Sequence, residues 1–213
     1  MTTVKQVQYS TTNRYDILNQ KTSTTRYVWL VFHGMGYLSK YFIKYFDGLD
    51  SDKHYIIAPQ APSKYYQDNR YKRIGASWLT REDTQMDLAN VLNFIDAIYN
   101  SENLADLKLI VLGYSQGVSI ATRWLAHSKV ACHQLILHSG GIPKELLPEQ
   151  FEFLPEDCPV DYVYGEEDPY IHGERILQES QHAQQLFGAR FRLHPFKGAH
   201  VVNRDYIMNS YKL

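Results

Sequence analysis

Cysteine is scarce: the 213 residues hold two, Cys132 and Cys158. They fit no C-x-x-C spacing, and two thiols in a chain this long make no disulfide scaffold, so both are expected to be reduced and partly buried. An excess of one charge is missing too. Twenty-two Lys and Arg face 23 Asp and Glu for a formal net charge of −1, spread along the chain, which argues against a nucleic-acid or anionic-membrane partner. Nowhere do 18 apolar residues run together, and the opening MTTVKQVQYS carries no basic segment followed by an apolar one. Neither a membrane span nor a secretory leader is expected, which reads as a soluble, cytoplasmic protein without integral membrane association. There is no H-E-x-x-H and the histidines lack regular ligand spacing, so no metal and no other cofactor is expected.

What is present is an alternation. Apolar runs YVWLVFHG, HYIIAP, LKLIVLGYS, HQLILHSG, VDYVYGEED and RFRLHPF read as strands, and the middle ones are nearly continuous in apolar residues, as strands covered on both faces are. Helical spacing appears between them, over Glu82 to Tyr99 and over Gly173 to Phe187. VKQVQYS and YDILN read as an opening antiparallel hairpin. The class is α/β, a mostly parallel sheet flanked by helices, in one domain spanning 1–213 that can bury roughly 70% of its unfolded surface. One stretch, Pro59 to Trp78, reads as a long irregular connection, and such length points to function.

The strand run Leu109 to Tyr114 gives way at once to a small-residue helix, and Ser115 sits at the junction as G-x-S-x-G with Gly113 and Gly117. A serine on so sharp a strand-to-helix turn exposes its Oγ, and the next amide and the helix N-terminus face any negative charge that develops beside it. Such a nucleophile needs a base, and the base an orienting carboxylate, in the order serine, acid, histidine. Downstream, Glu166, Glu167 and Asp168 follow one strand, and any of the three can be the acid on this reading. His200, after Gly198, is placed to swing over the serine; His194 reads as a structural strand residue, and His138 and His172 as loop-end residues. Upstream, His33-Gly34-Met35-Gly36 follows an apolar strand as H-G-x-G, the place for a second oxyanion amide.

These segments together, FHGMGY, IAPQAP, GASWL, GYSQGVSIA, LHSGGIP, YGEEDPYI and FKGAHVV, resemble the α/β-hydrolase superfamily and, within it, the phospholipase/carboxylesterase group that includes acyl-protein thioesterases. The resemblance runs from Val28 to Val202. It implies Ser115 as nucleophile, Asp168 as acid, His200 as base, the amides of Met35 and Gln116 as oxyanion hole, and Trp78 as an aromatic near the acyl site. Two positions depart from the group's pattern: Val118 replaces a second glycine after the elbow, and Tyr37 replaces an aspartate after H-G-x-G, where it can narrow the acyl entrance.

The loop cluster of Tyr65, Tyr66 and Tyr71 with Lys64, Arg70, Lys72 and Arg73 admits two readings, a solvated loop packed on the body or a substrate wall that reads a polar or anionic group. The segment Lys144 to Pro159 is too short and charged for an amphipathic lid. The expected activity is hydrolysis of small-molecule carboxylic esters with short to medium acyl chains. Thioesterase or lysophospholipase action on the same residues, and a non-catalytic binding protein of the same fold, are the alternatives. The sequence leaves the oligomeric state open, a homo-oligomer included.

Overall fold

The computed structural model describes residues 1–104 and 107–211. Nine strands follow in chain order: β1 (Tyr15–Leu18), β2 (Tyr27–Phe32), β3 (His54–Pro59), β4 (Ser63–Tyr66), β5 (Ile74–Ser77), β6 (Lys108–Tyr114), β7 (Gln134–His138), β8 (Val160–Gly165) and β9 (Phe191–Phe196). The α-helices are α1 (Ser39–Phe42), α2 (Thr84–Glu102), α3 (Gln116–Ser128), α4 (Glu174–Phe187) and α5 (Arg204–Ser210). Seven strands form one sheet in the order β1-β3-β2-β6-β7-β8-β9, parallel throughout except for β1.

Continuous apolarity has the expected cause. In β2, Val28 through Phe32 are all fully buried because alternate side chains enter different layers. Val28, Leu30 and Phe32 pack with Val91 and Ile95 of α2, Trp124 and Leu125 of α3 and Leu186 of α4. Trp29 and Val31 pack on the opposite face with Phe42 of α1 and Ile207 of α5. Each such aliphatic side chain contributes about 1.5–3 kcal/mol by leaving water. The sheet is thereby held on both faces.

Four expectations are corrected. The antiparallel edge exists, but β1 makes it with β3, Tyr15 facing Pro59 and Leu18 facing Ile56, instead of a hairpin with VKQVQYS. Val4, Val7 and Tyr9 stay exposed, whereas β3 offers β1 a free edge on a wholly buried strand. The Pro59 to Trp78 stretch is not irregular, since β4 and β5 pair in it as an antiparallel hairpin. Its tip is closed by Gln67 N–H donating to the Arg73 carbonyl at 2.8 Å. Cys132 and Cys158 are fully rather than partly buried and form no disulfide; their thiols meet in a hydrogen bond with Sγ atoms 3.7 Å apart. Helix α2 runs three residues beyond Tyr99 and ends where Asn103 turns left-handed at φ 52°.

Between β7 and β8, Lys144 to Pro159 holds one short 3₁₀ turn, Pro148–Phe151, whose Phe151 is fully buried. The segment packs back onto the core and forms no lid. Among the described residues no helix is long and apolar enough to cross a membrane.

Candidate active site

Ser115 alone separates β6 from α3, and it holds φ 53° and ψ −118°, a conformation that costs an L-residue about 1–3 kcal/mol and persists only when its surroundings enforce it. Its N–H donates to the His138 carbonyl at 2.8 Å, and its carbonyl accepts from Val118 N–H at 3.0 Å. The flanking glycines are required by contact. A Cβ on Gly113 would stand 2.4 Å from the Gly117 carbonyl oxygen, and one on Gly117 would stand 2.1 Å from that of Phe32. Any side chain at either position would force β6, α3 and β2 apart.

His200 Nε2 lies 3.1 Å from Ser115 Oγ, and its Nδ1 lies 2.7 Å from Asp168 Oδ2. Three residues 85 and 32 positions apart are thus joined in one line. The three neighbouring carboxylates separate cleanly: Glu166 and Glu167 are exposed, while the Asp168 side chain is fully buried. The second Asp168 oxygen, Oδ1, accepts from the amides of Tyr170 at 2.8 Å and Ile171 at 3.2 Å. Glu167 donates its own N–H to the Gly198 carbonyl at 2.9 Å, which ties the acidic turn to the histidine segment.

Residues to which the sequence assigned no role in the site hold the His200 loop. Tyr114 hydroxyl donates to the His200 carbonyl at 2.9 Å, and the Tyr114 and Tyr170 rings flank the imidazole at 5.3 and 4.9 Å. His138 Nε2 accepts from Asn203 N–H at 2.8 Å, and its Nδ1 sits 3.0 Å from Ser139 Oγ. Burial, then the nearby His200, pushes the His138 pKa down to about 3, so the ring is neutral and acts as an acceptor on one side. His194 does lie in a strand, with its Nε2 2.8 Å from the buried Asp161. His172 lies exposed in the turn before α4.

The H-G-x-G segment is shaped by its histidine. The buried His33 ring accepts from Ala61 N–H at Nε2, 3.1 Å, and its Nδ1 lies 2.8 Å from the Gly34 carbonyl. Burial lowers its pKa to about 4, so Nδ1 carries the single proton and donates. Tyr37 N–H reaches the same carbonyl at 3.2 Å. Because the peptide is planar and trans, fixing the Gly34 carbonyl fixes the Met35 N–H in the opposite direction. Among the described residues, neither the Met35 nor the Gln116 amide donates to a protein acceptor, and Gln116 is the first residue of α3, where helical amides are left free.

Trp78 corrects the expectation of an aromatic lining the site. It is fully buried, donates Nε1–H to the His33 carbonyl at 2.8 Å and packs against Phe32 and His33. Its amide is held by the Gln116 side chain at 2.8 Å, which also donates to Leu79. Trp78 is therefore a brace beneath the H-G-x-G segment. Tyr37 lines an open cavity of about 550 Å³ beside that segment, with Met35, Leu38, Tyr41, Gln67 and Ile74. Tyr65 and Tyr66 are exposed on β4, outside that lining.

With this geometry in place, comparison with known proteins is informative. The family model for phospholipase/carboxylesterase matches residues 13–212. The chain belongs to the phospholipase/carboxylesterase family, enzymes of the α/β-hydrolase fold. Among solved structures, a Zea mays acyl-protein thioesterase 2 is similar at TM-score 0.67 and 18% identity, over 94% of this chain and 96% of that one. A Bacillus cereus carboxylesterase is similar at TM-score 0.67 and 17% identity, over 94% and 92%. At these identities the likeness is one of fold. No curated protein matches the sequence.

Proposed function

We propose that the protein is a serine esterase acting through an acyl-enzyme on small-molecule carboxylic esters of short to medium acyl chains. The observation that carries this reading is the line Asp168, His200, Ser115 at 2.7 and 3.1 Å, ending on a serine in a strained elbow. In the first half-reaction Ser115 Oγ attacks the ester carbonyl while His200 Nε2 takes its proton. The carbonyl oxygen becomes an oxyanion held by the amides of Met35 and Gln116, each such donor being worth roughly 10²–10³ in rate. The imidazolium then protonates the departing alkoxide. Water, deprotonated by His200, attacks the acyl-serine, and collapse returns the proton to Ser115 and releases the acid. Asp168 accepts from Nδ1–H and holds that tautomer, so that Nε2 is the free base.

The limit on chain length follows from the modest open cavity and from a Lys144 to Pro159 segment that packs on the core instead of forming a lid. Each methylene that finds cover adds about 0.8 kcal/mol until the cover ends. kcat/KM for p-nitrophenyl esters, with matching thioesters alongside, is expected to rise from acetate, level off at medium chains and fall beyond. Activity through the solubility limit of a short triglyceride is expected to show no jump. A steady rise to the longest chain, or a jump when droplets form, would contradict the assignment.

A further inference from the structure

The cavity beside Met35 is lined from three directions: by Met35, Gly36 and Tyr37 of the oxyanion segment, by Lys40 and Tyr41 of α1, and by Gln67, Lys72, Arg73 and Ile74 of the β4–β5 hairpin. Three of its lining residues are cations and none is acidic. Among the described residues none of the three is within salt-bridge distance of a carboxylate. The nearest acid along the hairpin, Asp68, turns Oδ1 onto the amides of Arg70 and Lys72 at 3.0 and 3.1 Å. Lys44 adds a fourth cation beside the rim, since it and Lys40 both stand over the Tyr41 ring, at 5.8 and 4.8 Å. In a chain whose net charge is −1, such a local excess is a strong departure from the mean.

The cavity is also held in shape. Gln67 Nε2 donates to the Gly36 carbonyl at 2.9 Å, Gly36 N–H to the Ala76 carbonyl at 2.8 Å, and Ala76 N–H to the Tyr37 carbonyl at 3.2 Å. The hairpin is thereby fastened to the segment that carries the Met35 amide. Gly34, next in the chain, lies against Ser115, since a Cβ there would stand 3.1 Å from the Ser115 Cβ. Met35 thus joins the reacting centre to a cation-lined recess whose walls include the apolar Leu38 and Ile74.

We propose that this recess binds an anionic group of the substrate, a carboxylate or phosphate joined by a short aliphatic or aromatic spacer to the ester that Ser115 attacks. The proposal rests on the esterase reading above and narrows it. Apolar walls cover the spacer, while Lys40, Lys72 and Arg73 face the anion, Arg73 with a planar fork suited to both oxyacids.

Two substrate pairs place the anion on either side of the ester: mono-p-nitrophenyl adipate against p-nitrophenyl hexanoate for the acyl side, and 4-acetoxyphenyl phosphate against 4-methoxyphenyl acetate for the alcohol side. In at least one pair the anionic ester is expected to have the higher kcat/KM. That preference should shrink as salt rises from 0.05 to 0.5 M, because screening shortens the reach of exposed charges to a few ångströms. In Lys40→Gln/Arg73→Gln the anionic-to-neutral ratio should fall by roughly fivefold or more, and in Lys40→Glu/Arg73→Glu it should invert. Calorimetric titration with adipate reads the recess without turnover and should show binding that both variants weaken.

Neutral esters favoured in both pairs, or a ratio that both variants leave unchanged, overturns the recess while leaving the esterase standing. Adipate binding lost in the variants, with no ester of any kind hydrolysed, supports the recess and overturns the esterase.

Discussion

Replacing Asp168 by asparagine keeps the side-chain shape and removes one charge, and the surroundings dictate which way the amide turns. Oδ1 accepts two backbone N–H groups, from Tyr170 and Ile171. An NH₂ turned toward them would meet two donors in a buried site, a penalty of about 1–3 kcal/mol for each pairing lost. The amide oxygen therefore stays there, and the NH₂ faces His200 Nδ1, now 2.7 Å from a carboxylate oxygen. Nδ1 must then accept, the ring proton moves to Nε2, and Nε2 can no longer take the Ser115 proton. The wrong tautomer costs about 10⁴ in kcat, or ~5.5 kcal/mol of barrier. Glu166→Gln and Glu167→Gln alter exposed groups outside this line and are expected to stay within about twofold. The assay is kcat and KM with p-nitrophenyl acetate on the three variants, each checked by thermal unfolding. An Asp168→Asn enzyme within tenfold of wild type, or a Glu167→Gln enzyme crippled instead, would refute the reasoning.

His138 is a positioning residue: His138→Phe removes the acceptor of Asn203 N–H, with an expected stability loss of about 1–3 kcal/mol and a lower kcat at little-changed KM, and His138→Gln, which restores an acceptor, should recover part of kcat. Wild-type kcat in His138→Phe would contradict that role. Stability should also depend on pH through His33 and His138, whose folded pKa values lie near 4 and 3, below the unfolded 6.5 or so. Between those values the unfolded chain binds the extra protons, so stability is full above about pH 6.5 and falls as pH drops, by about 2 kcal/mol for each ring at pH 5. Urea unfolding at pH 7.5 and 5.0 checks this, and equal free energies at the two would contradict the neutral assignment of both rings.

The strands of the sheet's centre were legible because burial on both faces writes an unbroken apolar run, as in Leu109 to Leu112. The elbow was legible because contact distances at Gly113 and Gly117 leave no room for a side chain. Pairing was not: nothing local in Tyr15 to Leu18 tells which edge it joins, and the partner β3 lies some 40 residues on. The β4 strand is exposed at every residue, so it lacks an apolar period; it is ordered by pairing with β5, and the hairpin is fastened to Gly36 and Tyr37 through Gln67 and Ala76. Asp168 could be told from Glu166 and Glu167 only by resemblance, since burial separates them and burial is a tertiary property. His138 and Tyr114 act on residues 65 and 86 positions away, beyond any motif. Resemblance puts Trp78 near the acyl site, yet its indole N–H is spent on the His33 carbonyl.

The claim on which all of this depends is that Ser115 Oγ is a nucleophile. Incubation with a fluorophosphonate, followed by intact-mass analysis and peptide mapping, tests it without any choice of substrate. A single adduct per chain is expected, on the peptide containing Ser115, with none in Ser115→Ala and a much slower one in His200→Ala. No adduct on the folded wild-type protein, or an adduct that persists in Ser115→Ala, would contradict the account.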